Sequence, residues 1–122
     1  MNLELSALNK TWIFDLDGTI VKHNGYLDGE DILLPGVKEF FNNIPESDYI
    51  LILSARRNAF REQTETFLRK SGIRYNDILF EFPVGERILI NDVKPSGLKT
   101  AFSVNVPRNS GLDIDVTINE NL

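Results

Sequence analysis

The stretch that decides the fold is Thr-Trp-Ile-Phe-Asp-Leu-Asp-Gly-Thr at positions 11–19. Residues 11–16 are rich in β-branched and aromatic side chains, which is typical of a buried strand, and Asp17-Gly18 ends that strand. A second run, Tyr-Ile-Leu-Ile-Leu at 49–53, is almost entirely apolar, as expected for a strand covered on both faces. The two runs predict central strands of one sheet.

Helical patterns alternate with these strands. Apolar residues of one stripe follow Pro35, at Val37, Phe40, Phe41 and Ile44, and predict a helix that Pro45 ends. A second helix is predicted over 58–70, with Asn58 as its N-cap. Shorter apolar runs predict three further strands, at 78–80, 87–90 and 100–106. The alternation indicates an α/β fold with a mainly parallel sheet, although the connection from 80 to 87 is short for a covering helix and predicts an irregular crossover.

The tail follows a different pattern. From 112 to 118 apolar and polar residues alternate, which predicts a strand with one dry face, at a sheet edge or in a subunit contact. Asp113 and Asp115 form either a metal-binding pair or part of the solvated face of that strand, and the second reading is the more common one.

Composition narrows the class of protein. The 122 residues suffice for one domain, predicted to span 1–122, and the net charge of −5 is the wrong sign for holding nucleic acid or an anionic membrane surface. With no cysteine and a single histidine, thiolate and polyhistidine metal sites are excluded. No signal peptide and no apolar run of about 18 residues is present, so a cytoplasmic protein is expected.

Chemistry-bearing residues follow three predicted strands. Ligands of open parallel sheets bind outside the carboxyl ends of the strands, an edge called the rim below. Three segments are expected there: Asp15-Leu16-Asp17-Gly18-Thr19, Ser54-Ala55-Arg56-Arg57 and Asn91-Asp92-Val93-Lys94. Clustered carboxylates need a neutralising cation, and oxygen ligands favour Mg²⁺. Such a rim suits a phosphoryl group, whereas the first segment taken alone is equally compatible with a solvated turn.

These residues resemble the haloacid dehalogenase-like superfamily of phosphohydrolases, whose first motif is a hydrophobic strand followed by Asp-x-Asp-Gly-Thr. The resemblance covers a core at 11–106 and implies a three-layer Rossmann-like fold of the capless subclass, with a hairpin flap after Thr19. The extension at 107–122 is left for an edge strand or an oligomer contact.

The resemblance also assigns roles. It implies that Asp15 is the nucleophile, that Asp17 is the general acid and base, and that Gly18 permits the sharp turn while Thr19 positions Asp17. Ser54 matches the hydroxyl that binds a phosphate oxygen. Asp92 matches the acidic motif, which holds Mg²⁺ with the Asp15 carboxylate and the main-chain carbonyl of Asp17.

The phosphate-binding cation departs from the family pattern, because no base stands between 80 and 86. Arg87, at the start of a predicted strand, is expected roughly 16 Å from Asp92 at the wrong end of the sheet, as a structural ion pair. Lys94 is therefore the preferred cation, followed by Arg56 or Arg57.

A second group of residues concerns the substrate. The predicted flap carries Lys22, His23 and Tyr26, which are candidates for contact with a leaving group, although an exposed loop residue is the more common interpretation of His23. Arg56 and Arg57 are candidates for a second anionic group, and a solvated helix start accounts for them equally well.

The predicted function is Mg²⁺-dependent hydrolysis of a phosphomonoester, with a phosphorylated sugar or related metabolite as substrate by analogy with small bacterial phosphatases. Two alternatives remain. One is a noncatalytic binding or regulatory domain that has kept the fold, and the other is phosphotransfer to an acceptor other than water.

Overall fold

A computed structural model describes all 122 residues and shows an α/β chain whose strands pair in parallel. The strands are β1 (Asn2–Leu5), β2 (Thr11–Asp15), β3 (Tyr49–Leu53), β4 (Asp77–Leu79) and β5 (Asp115–Ile118), and the helices are α1 (Val37–Asn42) and α2 (Arg61–Lys70). Short 3-10 helices occupy Gly25–Leu27 and Asn58–Phe60.

The main sheet has the order β2-β3-β4 and is parallel throughout. Asp15 is paired in register with Leu53, and Leu53 with Leu79, so the three strands end together. This common edge is the rim predicted for ligand binding. One face of the central strand is fully covered, since Ile50 and Ile52, which share that face, are buried. The expected cover on both faces is wrong, because on the other face Leu51 and Leu53 are half-buried and Tyr49 is 45% exposed.

Both predicted helices are present, with shorter bounds. The first keeps its buried stripe through Val37 and Phe41. The second begins at Arg61, because a 3-10 turn takes up Asn58–Phe60, and Asn58 makes no side-chain cap. The expected N-cap role of Asn58 is therefore wrong. The core lies between these helices and the sheet, and its fully buried members are Leu16, Ile20, Val21, Val37, Ile50, Ile52 and Leu68.

The flap, residues 20–34, forms a small hairpin-like excursion, as predicted. The backbone N–H of Lys22 donates to the carbonyl of Ile32 at 2.9 Å, and that of Leu34 donates to Ile20 at 3.0 Å. The segment between 19 and 35 thus leaves the rim and returns to it before α1 begins.

The two termini of the described chain form a second sheet. β5 pairs in parallel with β1, a strand that the sequence analysis did not predict. The tail strand forms, but only over 115–118 of the predicted 112–118. The apolar face is buried before the strand begins, at Leu112 and partly at Ile114, whereas every residue of β5 is exposed and Ile118 remains 49% accessible. The predicted subunit contact through this strand stays a prediction.

Residues 81–105 contain no helix or strand. The strands predicted at 87–90 and 100–106 do not form, and Ile88 and Ile90 are 83% and 89% exposed. The chain turns away from the sheet directly after β4, where Glu81 adopts a left-handed φ of 65° and its N–H donates to Arg56 instead of continuing a ladder. The predicted crossover is wrong, because there is no fourth strand for it to reach; residues 81–105, called the crossover below, are irregular, and the sheet ends at β4.

The tail is clasped to the start of α1 by two glycines. The N–H of Leu112 donates to the carbonyl of Pro35 at 3.0 Å. Gly36 and Gly111 have φ values of +77° and +82°, and a Cβ on either would collide with the backbone of the facing segment. This pair of backbones, called the glycine clasp below, requires glycine at both positions.

No helix of the chain is long and apolar enough to cross a membrane.

Candidate functional site

Asp15 ends β2 and is the accessible carboxylate of the rim. Its side chain is 40% exposed, and its Oδ1 lies 3.1 Å from Nη1 of Arg87. Its Oδ2 accepts a hydrogen bond of 3.2 Å from Thr19 Oγ1. Thr19 therefore orients Asp15, whereas the resemblance implied that it would position Asp17. One carboxylate is thus held by a hydroxyl and a cation and still faces solvent.

The loop after Asp15 turns at Gly18, whose φ of +83° confirms the expected sharp reversal. The tail segment lies over this turn, because Asn109 donates its N–H to the Gly18 carbonyl at 2.9 Å. Asn109 Oδ1 in turn accepts the N–H of His23 at 2.8 Å. His23 thus contributes its backbone to the packing of this loop, and Lys22 is exposed beside it.

Asp17 is bound on both oxygens by Arg56. Nε of Arg56 donates to Oδ2 at 3.1 Å, and Nη2 donates to Oδ1 at 2.9 Å, which is a bidentate pair. The Asp17 side chain is 18% exposed, and that of Arg56 is 1% exposed. The predicted general acid is therefore anchored to a buried cation that follows the neighbouring strand.

A second carboxylate binds an adjacent edge of the same guanidinium. Asp31, on the flap, accepts Nη1 at 3.0 Å and Nη2 at 2.7 Å, and Thr64 Oγ1 on α2 accepts Nη1 at 2.8 Å. The Tyr26 ring stacks on the guanidinium, 3.9 Å from its centroid to Cζ. With the two bonds to Asp17, all five N–H donors of Arg56 are used.

Burial and charge act in opposite directions on Arg56. Desolvation lowers its pKa, while the hydrogen bonds to Asp31 and Asp17 and their negative charges raise it, and the pKa ends above its ordinary value. Arg56 is thus a permanent cation with no free donor. Its predicted roles, as a phosphate-binding cation or as a reader of a second anionic group, are wrong for this arrangement, whereas Arg57 is exposed and forms no ion pair.

Ser54 follows β3 and lies beside the first motif, as predicted. Its side chain is buried, and Oγ accepts the N–H of Arg56 at 3.0 Å. The Ser54 carbonyl accepts the N–H of Phe82 at 3.1 Å, so the chain leaving β4 crosses directly over it. In this arrangement the hydroxyl supports the turn that carries Arg56.

The cation beside Asp15 is Arg87, and not Lys94. The expectation that Arg87 would lie at the far end of the sheet is wrong, because the strand at 87–90 does not form and the crossover carries Arg87 back to the rim. Lys94 is exposed in a turn, where its N–H donates to Leu98, and it forms no ion pair.

The predicted magnesium ligands are not gathered. No group of three or more His, Cys, Asp or Glu side chains is arranged to hold a metal ion. Asp92 is exposed, and its carbonyl accepts Thr100 Oγ1 at 2.7 Å. The predicted donor set, which combines the carboxylates of Asp15 and Asp92 with the main-chain carbonyl of Asp17, is therefore not arranged to hold Mg²⁺ here.

Sequence reasoning missed the roles of Asp31 and Thr64. Tyr26 was expected on the flap as a candidate for contact with a leaving group, whereas its ring stacks on Arg56. Thr64 was visible only as a member of the helical stripe, and Asp31 stands in an acidic stretch with Asp28 and Glu30, where nothing marks one residue as buried. Arg56 lies three residues after the end of β3, and only its burial, which the sequence does not show, indicates that it requires carboxylate partners.

A groove of about 580 Å³ lies at the opposite end of the sheet, with no rim residue in its lining. There Asp48 is 5% exposed and accepts the indole N–H of Trp12 at 2.9 Å and the N–H of Lys10 at 3.0 Å. Trp12 therefore anchors the amino end of β2. The accessible carboxylate of Asp15 and its cation Arg87 lie at the rim, which is therefore the candidate site.

The comparisons with known proteins return a single kind of match. No family model matches the chain, and no curated protein matches it significantly. A solved structure of a Pnkp1/Rnl/Hen1 complex is similar to it, with 33% sequence identity and a TM-score of 0.52. The similar region covers 67% of this chain and 31% of the matched chain, so this chain corresponds to less than a third of that larger protein.

Proposed function

We propose that this chain is a phosphomonoester hydrolase of the haloacid dehalogenase-like type, built on a three-layer Rossmann-like fold, with Asp15 as its nucleophile. The observation that supports it best is the position of Asp15: a carboxylate, 40% exposed, at the carboxyl end of a parallel strand and 3.1 Å from a guanidinium. A phosphorylated sugar or related small metabolite is the proposed substrate.

The reaction divides into two displacements at phosphorus. In the first, an Asp15 oxygen bonds to phosphorus while the ester P–O bond breaks, and the departing oxygen takes a proton from Asp17 to leave as the alcohol. In the second, Asp17 accepts a proton from water, whose oxygen bonds to phosphorus while the P–O bond to Asp15 breaks. Inorganic phosphate leaves, and both carboxylates return to their starting forms.

Arg87 supports this chemistry through its charge. A phosphoryl group brought to Asp15 places negative oxygens beside a carboxylate, and such a transition state requires neutralisation by cations. Arg87 is 37% exposed and makes a single hydrogen bond to Asp15, so its remaining donors are free to bind phosphate oxygens. In the proposal it takes the role that the sequence analysis assigned to Lys94.

Asp17 retains room for proton transfer in this scheme. Each of its oxygens accepts one hydrogen bond from Arg56, which leaves a lone pair on each oxygen available. No step is assigned to Mg²⁺, since the predicted ligands do not gather, and dependence on the metal stays a prediction.

The test is turnover of p-nitrophenyl phosphate, with and without added Mg²⁺, by the wild-type chain and by Asp15→Asn. The substitution should abolish turnover because an amide is a poor nucleophile, while far-UV circular dichroism and the thermal midpoint stay unchanged. Asp113→Asn, the same chemical change on the exposed tail, is the control and should retain full activity. Retained turnover in Asp15→Asn would refute the proposal.

A second candidate, a noncatalytic phosphate-binding domain, is favoured by one observation. Both carboxylate oxygens of Asp17 are bound by the buried Arg56, as in a structural ion pair. Calorimetric titration with inorganic phosphate separates the candidates. Binding that is lost in Arg87→Gln, with no turnover of any ester by the wild type, supports the domain over the enzyme.

A further inference from the structure

We propose that Asp31 is a positioning residue that fastens the flap to the rim through Arg56 and thereby fixes the carboxylate of Asp17. The kinetic part of this inference rests on the proposed function, whereas the fastening of the flap does not. Asp31 belongs to no motif of the sequence, and no part of the proposed reaction uses it.

The geometry joins three separate parts of the chain at one guanidinium. Asp17 comes from the loop after β2, Asp31 from the returning arm of the flap, and Thr64 from α2. The Arg56–Asp31 pair is the more deeply buried of the two, with side chains 1% and 2% exposed. Displacing any one of these elements would remove a partner from the buried guanidinium, which is strongly disfavoured. The three elements therefore move together.

Two carboxylates on adjacent edges, which have Nη2 in common, fix the plane of the guanidinium. Nη2 is shared between Asp17 and Asp31, while Nε serves only Asp17 and Nη1 serves Asp31 and Thr64. If Asp31 is removed, one edge loses its charged acceptor and the group turns toward the remaining partners. The Asp17 carboxylate, which is bound in the same plane, then changes its direction toward the reacting oxygens.

The flap is attached at the same point. Tyr26, on its outgoing arm, stacks on Arg56 and meets the ring of Phe60 edge-on at 4.9 Å between centroids. Asp31, on its returning arm, is the only charged flap side chain in an ion pair. Between these anchors the flap is closed by the backbone hydrogen bonds of Lys22 and Leu34. Removing the charge of Asp31 should therefore weaken those two backbone hydrogen bonds first.

Hydrogen exchange tests the fastening without any need for activity. In Asp31→Asn the amides of Lys22 and Leu34 should exchange about tenfold faster or more, while those of β3 keep their protection. Asp28→Asn is the matched control, because it makes the same change on an exposed flap residue and should leave both amides unaffected. Unchanged exchange in Asp31→Asn would overturn the fastening.

Two substrates test the positioning of Asp17. An alkyl phosphate such as glycerol phosphate needs a proton on its leaving oxygen, whereas p-nitrophenolate leaves without one. Asp31→Asn should therefore lower kcat for the alkyl ester about tenfold more than for the aryl ester, since general acid catalysis contributes at least that much. Equal losses on both esters would mean that Asp31 has only a structural role.

Asp31→Glu provides the second variant in case the asparagine form does not fold. It keeps the negative charge on a longer side chain. The exchange rates of the two amides and the ratio of kcat for the two esters should therefore lie between those of the wild type and Asp31→Asn. Wild-type values in both measurements would overturn the proposal. If the wild type hydrolyses neither ester, the proposed function fails, and the exchange experiment alone still decides whether Asp31 fastens the flap.

Discussion

Two arginines at the rim pair with the two aspartates of the first motif, and they do so in opposite ways. Arg56 is buried, uses all five donors and binds two carboxylates. Arg87 is 37% exposed and makes one hydrogen bond to Asp15. The difference shows which of the two cations a ligand can reach. Arg56 is part of the buried framework of the rim, whereas Arg87 can release Asp15 and bind an anion.

The largest expected effect comes from breaking the buried site. Arg56→Gln leaves Asp17 and Asp31 without a counter-charge, and it should lower the free energy of unfolding by about 3–5 kcal/mol. Urea denaturation followed by circular dichroism measures this loss. Arg57→Gln, one residue away and exposed, is the control and should cost less than about 0.5 kcal/mol. A loss under 1 kcal/mol in Arg56→Gln would mean that the cluster is not closed as described.

The pair of Tyr75 and Glu65 is intermediate in burial between the Arg56 cluster and the Arg87 pair, and it should be intermediate in its contribution to stability as well. Tyr75 donates to Glu65 at 2.6 Å, and burial, followed by this hydrogen bond and the charge of Glu65, raises the pKa of Tyr75 from 10.0 to about 12. Tyr75→Phe removes the bond and should cost about 1 kcal/mol at pH 8.

The pH dependence of that cost has a definite sign. Because the pKa of Tyr75 is higher in the folded chain than in the unfolded one, its stabilising contribution is complete below pH 10.0 and is lost as the pH rises through about 12. The difference in unfolding free energy between wild type and Tyr75→Phe should therefore shrink across that window. A difference that stays constant or grows would contradict the assignment.

Arg87→Gln should have a much smaller effect on stability than Arg56→Gln. The pair with Asp15 is half exposed, and such pairs contribute at most about 1 kcal/mol, less at high salt. Urea denaturation at low and high salt measures this. Under the proposed function the same variant should nevertheless lose most of its turnover of p-nitrophenyl phosphate. A large loss of stability would place Arg87 with Arg56 in the framework.

The smallest effect is expected in the crossover. Ile88→Lys and Ile90→Lys alter side chains that are 83% and 89% exposed, so each should change the unfolding free energy by less than about 0.5 kcal/mol. Ile78→Lys, at a position that is 2% exposed in β4, is the contrasting variant and should unfold the chain. A loss of several kcal/mol at Ile90 would instead support the strand that the sequence predicts there.

The strands of the main sheet and both helices, all before residue 80, were predictable from the sequence. Their apolar patterns there coincide with the side chains that the fold buries. The apolar runs at 11–16 and 49–53 lie in β2 and β3, and the stripe around Val37 and Phe41 faces the core. Arg-Ile-Leu-Ile at 87–90 carries an equally strong strand signal. It forms no strand because strand pairing depends on where the preceding turn directs the chain, and Glu81 and Phe82 direct it over the rim.

The candidate site was predictable only in part. Asp15, Asp17 and Gly18 stand on one short segment at the end of a strand, so their placement followed from β2 alone. The partners of Asp17 and Asp15 did not, since Asp31 and Arg87 are remote in sequence and reach the rim through the flap and the crossover. Long-range ion pairs depend on loop paths, which carry little periodic signal.

The glycine clasp has a consequence for the order of folding. It joins backbones near positions 36 and 111, so a loop of about 75 residues must close before its two sides can meet, and that closure costs chain entropy. The three-stranded sheet can assemble without it. We therefore expect the clasp to close after that sheet, and Gly111→Ala to accelerate unfolding while leaving the refolding rate nearly unchanged.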